Sequence, residues 1–300
     1  MPVIRPVIAA LVFALAGCAS VPPPPAHPPR AEPLAPLAKT HRPLIAFVLG
    51  GGGARGFAHT GALKVLDDAG IRADLVVGTS AGSVVGALYA GGIRNNELLE
   101  TALALQREQV LDFVFPNRGF IEGDRLEAYI DRALGGRLIE ELALPFVVVA
   151  TELRSGRLAA FNRGDTGMAV RASCSVPAIF QPTMIAGKEY VDGGLVSPVP
   201  VRIAREMGAD LIIAIDVSRE PVEQSHFDSS TAILSHAFVI MEHAMAHAET
   251  ALADVVIRPD LAQVPATDLA ARGAAILAGE EAARAALPRI RSLIEQRARR

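Results

Sequence analysis

The chain has 300 residues, 51% hydrophobic and 20% charged, with a formal net charge of −3. That composition is globular and long enough for one large domain or two small ones, and the near-neutral charge excludes a strong electrostatic pull on nucleic acid. Tryptophan is absent and aromatic residues make up 5%, so no aromatic platform for stacking bases or sugars stands out.

In chain order, residues 1–17 read as a signal-peptide core and not as part of the fold. One charge, Arg5, precedes an apolar run from Pro6 to Gly17 that is short for a bilayer span. The run ends in Leu15-Ala16-Gly17-Cys18, small residues before a cysteine that resemble the bacterial lipobox. The resemblance implies cleavage before Cys18 and a diacylglycerol on its thiol. With Ala19 next, it also implies a lipoprotein anchored in the outer membrane of a bacterial envelope. Acyl chains hold such an anchor by about 0.8 kcal/mol per buried methylene. An ordinary signal peptide with an incidental cysteine is the alternative. Residues 18–43 are dense in proline, which favours extended, solvated backbone. They read as a tether holding the domain off a membrane, with His27 and His41 inert within it. Cys174 then remains alone, so the domain is expected to have no internal disulfide. No His or Asn motif accompanies Cys174, which reads as a small packed residue.

From residue 44 to 300 the pattern predicts one domain. "LIAFVLG" at 44–50 is a buried strand ended by glycines. A helix follows over 54–70, with Leu63, Leu66 and Ala69 at helical spacing and Gly70 as C-cap. "ADLVVG" at 73–78 is a second strand and "SAGSVVGALYAGG" at 80–92 a small-residue helix. Two amphipathic helices follow over 95–109 and 123–136, with Asn96 and Asp124 as expected N-caps. "PFVVVATEL" at 145–153 is a buried strand, "GRLAAFNRG" at 156–164 a hairpin arm, and "ADLIIAIDVS" at 209–218 another strand. A long helix is predicted over 231–253, a strand over 254–260, and one or two helices over 268–296. Strands that are continuous apolar runs alternating with helices predict an α/β domain. Its central sheet is expected to be largely parallel and covered by helices on both faces.

Three short stretches can carry chemistry. "GGGARG", Gly51 to Gly56, follows a strand and opens a helix. Its backbone N–H groups can converge on an anion or a developing oxyanion, aided by the helix N-terminus. It also matches G-x-G-x-x-G, but Asp74 precedes the second strand, so no acid sits where a dinucleotide ribose needs one. A Walker A loop is excluded because Gly-Lys-Ser/Thr is missing. "GTSAG", Gly78 to Gly82, places Ser80 on a strand-to-helix turn that exposes a hydroxyl, with glycines relieving the crowding. Such a serine needs a base within reach. "DGG" holds Asp192 at the end of a short strand before Gly193 and Gly194, either as a fixed carboxylate or as a plain turn residue.

In this order the three stretches resemble the patatin-like phospholipase family, and "GFIEGDRLEAYI", "VVVATEL" and "RASCSVPAIFQP" continue the likeness, which runs from about Ile45 to Ser218. The chain resembles the bacterial members of that family and the catalytic domain of neuropathy target esterase. The resemblance implies ester hydrolysis by a Ser–Asp dyad with no histidine, metal or cofactor. Ser80 aligns with the nucleophile and Asp192 with the base. Gly51, Gly52, Gly53 and Ala54 align with the oxyanion loop, and Arg55 with an arginine supporting that loop. Gly78, Gly82, Gly193 and Gly194 shape the turns. Ser197 departs from the pattern, since many relatives carry Asn there.

The expected substrate is a phospholipid or lysophospholipid, cleaved through an acyl-serine intermediate. A general carboxylesterase or acyltransferase on the same dyad, or a non-catalytic envelope lipid-binding protein, stays open beside it. A Ser-Asp-His triad is also open, with His226, His236, His243 and His247 as candidates. His243 and His247 are spaced i, i+4, but no H-E-x-x-H is present. Ordinary helix histidines are the simpler reading, and His59 is expected to be structural. Arg289, Arg291, Arg297, Arg299 and Arg300 fit a solvated helix end, where positive charge suits the macrodipole; weak contact with anionic lipid is the sharper alternative.

Overall fold

A computed structural model of the chain describes residues 26–39, 41–115, 118–221 and 227–299. The signal-peptide and lipobox readings, Cys18 and His226 lie outside the described residues.

Eight strands form one mixed sheet: β1 Ile45–Leu49, β2 Leu75–Thr79, β3 Phe146–Glu152, β4 Leu158–Phe161, β5 Thr183–Ile185, β6 Lys188–Asp192, β7 Leu211–Ile215 and β8 Val255–Ile257. They are hydrogen-bonded in the order β5-β6-β3-β2-β1-β7-β8, with β4 also paired to β3. The run β3-β2-β1-β7-β8 is parallel, as its continuous apolar strands predict. The pairs β3–β4, β3–β6 and β5–β6 are antiparallel, so one end of the sheet departs from the expected parallel order.

Alternation along the strands divides the core in two. Phe47, Leu49, Val76, Val148 and Ile213 point into a cluster shared with helices α1 Phe57–Asp68, α2 Ala81–Ala90, α4 Asp124–Leu134, α5 Thr166–Ser173 and α8 Arg272–Ala298. Ala46, Val48, Val77, Val149 and Ile212 point the other way, against α6 Val201–Glu206 and the end of α7 Ser230–Thr250. Leu34 and Leu37 from the proline-rich stretch pack on this second cluster. Residues 27–37 are tied to the domain by Asp165 N–H to His27 O (2.8 Å), Arg30 N–H to Arg163 O (2.9 Å) and Leu37 N–H to Met207 O (2.9 Å).

Local signals hold, except at two expected caps. Gly70 takes φ 76 just past α1, and Ile71 N–H bonds back to Leu66 O, the glycine cap expected there. Asn96 and Asp124 are not the N-caps. α3, Asn95–Ala104, is capped by Arg94, two residues before Asn96, with Asn95 itself at φ 50. α4 starts at Asp124 from Gly123, whose left-handed φ of 95 suits glycine. The tail is a single helix, α8, with Pro288 inside it.

Candidate active site

Strand register brings the distant parts together. Val148 and Val149 of β3 pair with β2 and with β4, so those two strands lie on opposite edges of β3. Ala150 and Thr151 pair with β4 and with β6. β2 and β6 therefore share one edge of β3 and meet end to end. Thr79 is opposite Val149, and Asp192 is opposite the next residue, Ala150. Because β2 runs with β3 and β6 runs against it, both strands finish at this junction. Ser80 and Asp192, separated by 112 residues, become neighbours there.

Ser80 Oγ donates to Asp192 Oδ2 at 2.6 Å. Ser80 is 8% exposed and Asp192 7% exposed. Ser80 is held at φ 51, ψ −124, a conformation that costs an L-residue about 1–3 kcal/mol and is tolerated only when the surroundings fix it. The fixing bonds are specific. Ser80 N–H donates to Ser173 Oγ (2.8 Å), which donates in turn to Val149 O (2.6 Å). Ser83 N–H and Ser83 Oγ both bond Ser80 O, at 2.7 Å each. On the other side, Gly194 N–H donates to Asp192 Oδ1 at 2.7 Å, Asp192 N–H to Ser175 O at 2.9 Å, and Thr151 Oγ1 to Asp192 O at 2.8 Å. Gly194 thus makes Asp192 a turn cap as well as a partner of Ser80. A Cβ on Gly193 would lie 2.2 Å from Val149 O, so only glycine lets the turn follow β3 this closely.

Burial pushes the Asp192 carboxyl up to about 7, and the half-buried Glu242 of α7 adds to that rise; the bonds from Ser80 and Gly194 oppose it. A base tuned to neutral pH is what direct proton transfer from a serine requires.

The glycine loop divides by its hydrogen bonds. Gly51 N–H is taken by Pro198 O (2.9 Å) and Ala54 N–H by Ala266 O (2.7 Å). Among the described residues, the N–H groups of Gly52 and Gly53 have no such acceptor. Of the four loop residues, Gly52 and Gly53 are thus the two whose N–H groups stay open, because the backbone at both ends is already satisfied. Gly51 still borders Ser80: a Cβ there would lie 3.4 Å from the Ser80 Cβ. Arg55 is buried, and its Nε reaches Gly52 O at 3.5 Å. Burial lowers its pKa while Glu242 and Asp216 oppose the fall. His59 is fully buried and its Nε2 bonds Gly50 O at 2.8 Å, just before the loop. Burial holds its pKa down at about 4, so it serves as a neutral brace.

Two residues on α7 that the sequence did not single out belong here. Glu249 accepts from Ser197 Oγ (2.6 Å) and Val199 N–H (3.1 Å), fixing the loop beyond Gly194. Thr79 Oγ1 donates to Ser197 O (2.8 Å), so Ser197 links the two halves of the site. Glu242 Oε1 lies 3.8 Å from where a Gly194 Cβ would be. Nothing in the spacing marks either residue.

The remaining candidates do not join the Ser80–Asp192 pair. Among the described residues no histidine bonds Ser80 or Asp192. His236 packs on Phe227 with ring centres 4.6 Å apart, and His247 is exposed. Cys174 is buried, its Sγ 3.9 Å from Ser83 Oγ, and burial pushes its thiol far up, as a packed residue and not a nucleophile requires.

Residues 47–205 match the family model described as patatin-like phospholipase. Patatin-like phospholipase domain-containing protein 6 of Homo sapiens is 37% identical over 195 residues, covering 62% of this chain and 14% of that protein. An uncharacterized NTE family protein of Mycobacterium tuberculosis is 33% identical over 179 residues, covering 59% of this chain and 49% of its own. The protein named lysophospholipase NTE1 of Coccidioides immitis is 35% identical over 182 residues, covering 58% of this chain and 11% of its own. The chain thus spans at most about half the length of these relatives. The crystal structure of VipD from Legionella pneumophila shares the fold with a TM-score of 0.59 at 13% identity, covering 90% of this chain and 71% of that one.

Proposed function

The chain belongs to the patatin-like phospholipase family, and from that premise we propose that it hydrolyses carboxylic esters of lipids, of the phospholipase A or lysophospholipase type. The observation that carries the reading is the bond from Ser80 Oγ to Asp192 Oδ2 at 2.6 Å, with no imidazole joined to it among the described residues. The relatives' names support the substrate class, and an intact dyad speaks against a non-catalytic lipid-binding protein.

Asp192 takes the Ser80 proton as Oγ attacks the ester carbonyl. The carbonyl oxygen becomes an oxyanion and accepts from the Gly52 and Gly53 N–H groups; one such donor is worth about 3 kcal/mol in the transition state. Arg55, on the carbonyl of Gly52, keeps that peptide aimed. Collapse breaks the ester bond, and the departing alcohol takes the proton from Asp192. Water then attacks the acyl-Ser80, giving its proton to Asp192, and the carboxylic acid leaves as Ser80 recovers its proton. The protein is anchored by acyl chains on Cys18 in the bacterial envelope.

Three results are expected. Assayed on a diacyl phospholipid, a lysophospholipid and a soluble short-chain ester, His236→Ala, His243→Ala and His247→Ala, with His226→Ala beside them, keep most of the wild-type rate. A loss of about 10³-fold at any one of them would install a triad instead. The pH profile of kcat/KM falls about tenfold per unit below pH 7, because Asp192 acts only when ionised and burial raises its pKa to about 7. An acid limb near pH 4 would mean that the base is an ordinary exposed carboxylate. Cys18→Ser protein takes up no labelled palmitate in bacteria, whereas the wild type does; labelling of the variant rejects the anchor.

A further inference from the structure

Helix α7 is amphipathic the wrong way round for water. Its carboxylates face the protein: Glu249 bonds Ser197 and Val199, and Glu242 approaches Gly194. The buried positions of the helix, Ala246, Glu249 and Thr250, lie in its last two turns. In the earlier turns Ile233, Leu234, Ile240 and Met241, turned away from these carboxylates, and Phe238, one turn before Glu242, are 44–59% exposed. From Ser229 to Met241 there is no Asp, Glu, Lys or Arg, and His236 alone can titrate. A contiguous exposed apolar face of this kind marks an interaction site.

We propose that this outward face of α7 is the surface by which the protein docks on a lipid layer, with the five side chains entering the acyl region beside the Ser80–Asp192 site. Two features favour lipid over a protein partner. The stretch has no Trp, Tyr or Arg, the residues that dominate protein hot spots; its side chains are aliphatic apart from Phe238 and Met241, and hydrocarbon demands no further match. The same helix reaches the dyad through Glu242, so docking sets the site against the layer that holds its substrate. Ile179, 44% exposed, lies four residues beyond Ser175, whose carbonyl bonds Asp192, and adds apolar surface on another loop of the site. With no cation on the face, docking depends on apolar burial and not on anionic headgroups.

The proposal rests on the lipid-ester reading, so its test separates the two. In full-length protein carrying Ser80→Ala and Cys18→Ser, a polarity-sensitive fluorophore is attached at Leu234→Cys or Met241→Cys, with Glu281→Cys on α8 as the control. On phosphatidylcholine vesicles, emission at 234 and 241 shifts to the blue and is quenched by brominated acyl chains, at low and high salt alike, while 281 does not respond. No change at 234 and 241 in protein that floats with the vesicles overturns the proposal. So does a response that needs anionic lipid and vanishes in salt. In otherwise wild-type protein, joint replacement of Ile233, Leu234, Phe238, Ile240 and Met241 by Ser lowers hydrolysis of vesicle phospholipid at least about tenfold, since five apolar groups no longer leave water. Turnover of the soluble ester is unchanged. Equal vesicle rates overturn the surface, and so does a concentration-dependent dimer that the replacements abolish, because a second copy would then cover the face. If neither protein cleaves any ester, the hydrolase reading fails, and the fluorescence result still decides the surface.

Discussion

Ser80→Ala and Asp192→Asn proteins are expected to lose ester hydrolysis by about 10⁴-fold or more, and Ser80→Ala to lose labelling by a fluorophosphonate probe altogether. Groups that act as one unit each cost nearly the full effect when removed, and in the proposed mechanism the unit has two members. Asparagine is the informative replacement because it keeps the shape and both contacts. Its carbonyl can still accept from Gly194 N–H, and its amide can still reach Ser80 Oγ, so the turn at Gly193 and Gly194 stays in place. Only the capacity to take a proton is lost. Undiminished turnover in either variant would remove the dyad from the mechanism.

Stability separates this loss from misfolding. The folded pKa of Asp192, about 7, lies above its ordinary value of 3.8. Between those values the folded state binds more protons than the unfolded one, so this group's contribution to stability is full below about pH 4 and is lost as pH rises through 7. Above pH 7 the protein carries the cost of a buried carboxylate, and Asp192→Asn removes it. The variant should therefore melt at a higher temperature than wild type at pH 8, with the gap closing towards pH 4. A variant that is both inactive and less stable at pH 8 would show that the carboxylate organises the fold and is not held there for chemistry.

What the sequence could reveal follows the range of each signal. The strand, turn and helix around Ser80 are local events, marked by an apolar run, two glycines and a small-residue helix, and they form where predicted, with β2 ending at Thr79 and α2 starting at Ala81. The strand before Asp192 was legible for the same reason. That β2 and β6 share an edge of β3 was not, because pairing between segments so far apart leaves no periodic trace; only the resemblance joined Ser80 to Asp192. The division of the glycine loop was hidden as well. Pro198 and Ala266 decide which N–H groups stay open, and neither is near residues 51–54 in the chain. Glu249, inside the predicted long helix, and Ser173, in a helix the spacing did not reveal, were passed over, although one fixes the 197–199 loop and the other holds the Ser80 amide. The helix over 231–253 was predicted, but an apolar face reads as buried by default, and the structure turns much of it outward.

Gly82→Ala is expected to destabilise the protein and disable it together, against the usual rule. Glycine within a helix is about 1 kcal/mol worse than alanine, and Gly82 sits in the first turn of α2, so propensity alone predicts a gain. The surroundings reverse the sign. A Cβ at this position would lie 2.1 Å from Leu49 O and 2.7 Å from Gly50 O, both backbone atoms leading into the glycine loop. Neither can rotate away as a side chain would. The N-terminus of α2 must retreat from β1, at an overpacking cost of about 1–3 kcal/mol. That retreat carries Ser80 away from Gly52 and Gly53, and a shift of about 1 Å between a nucleophile and its oxyanion donors costs on the order of 10²-fold in rate. Urea unfolding beside kcat/KM on a soluble ester checks both halves. A stabilised, active Gly82→Ala protein would mean that the close approach of α2 to the glycine loop is not what positions Ser80.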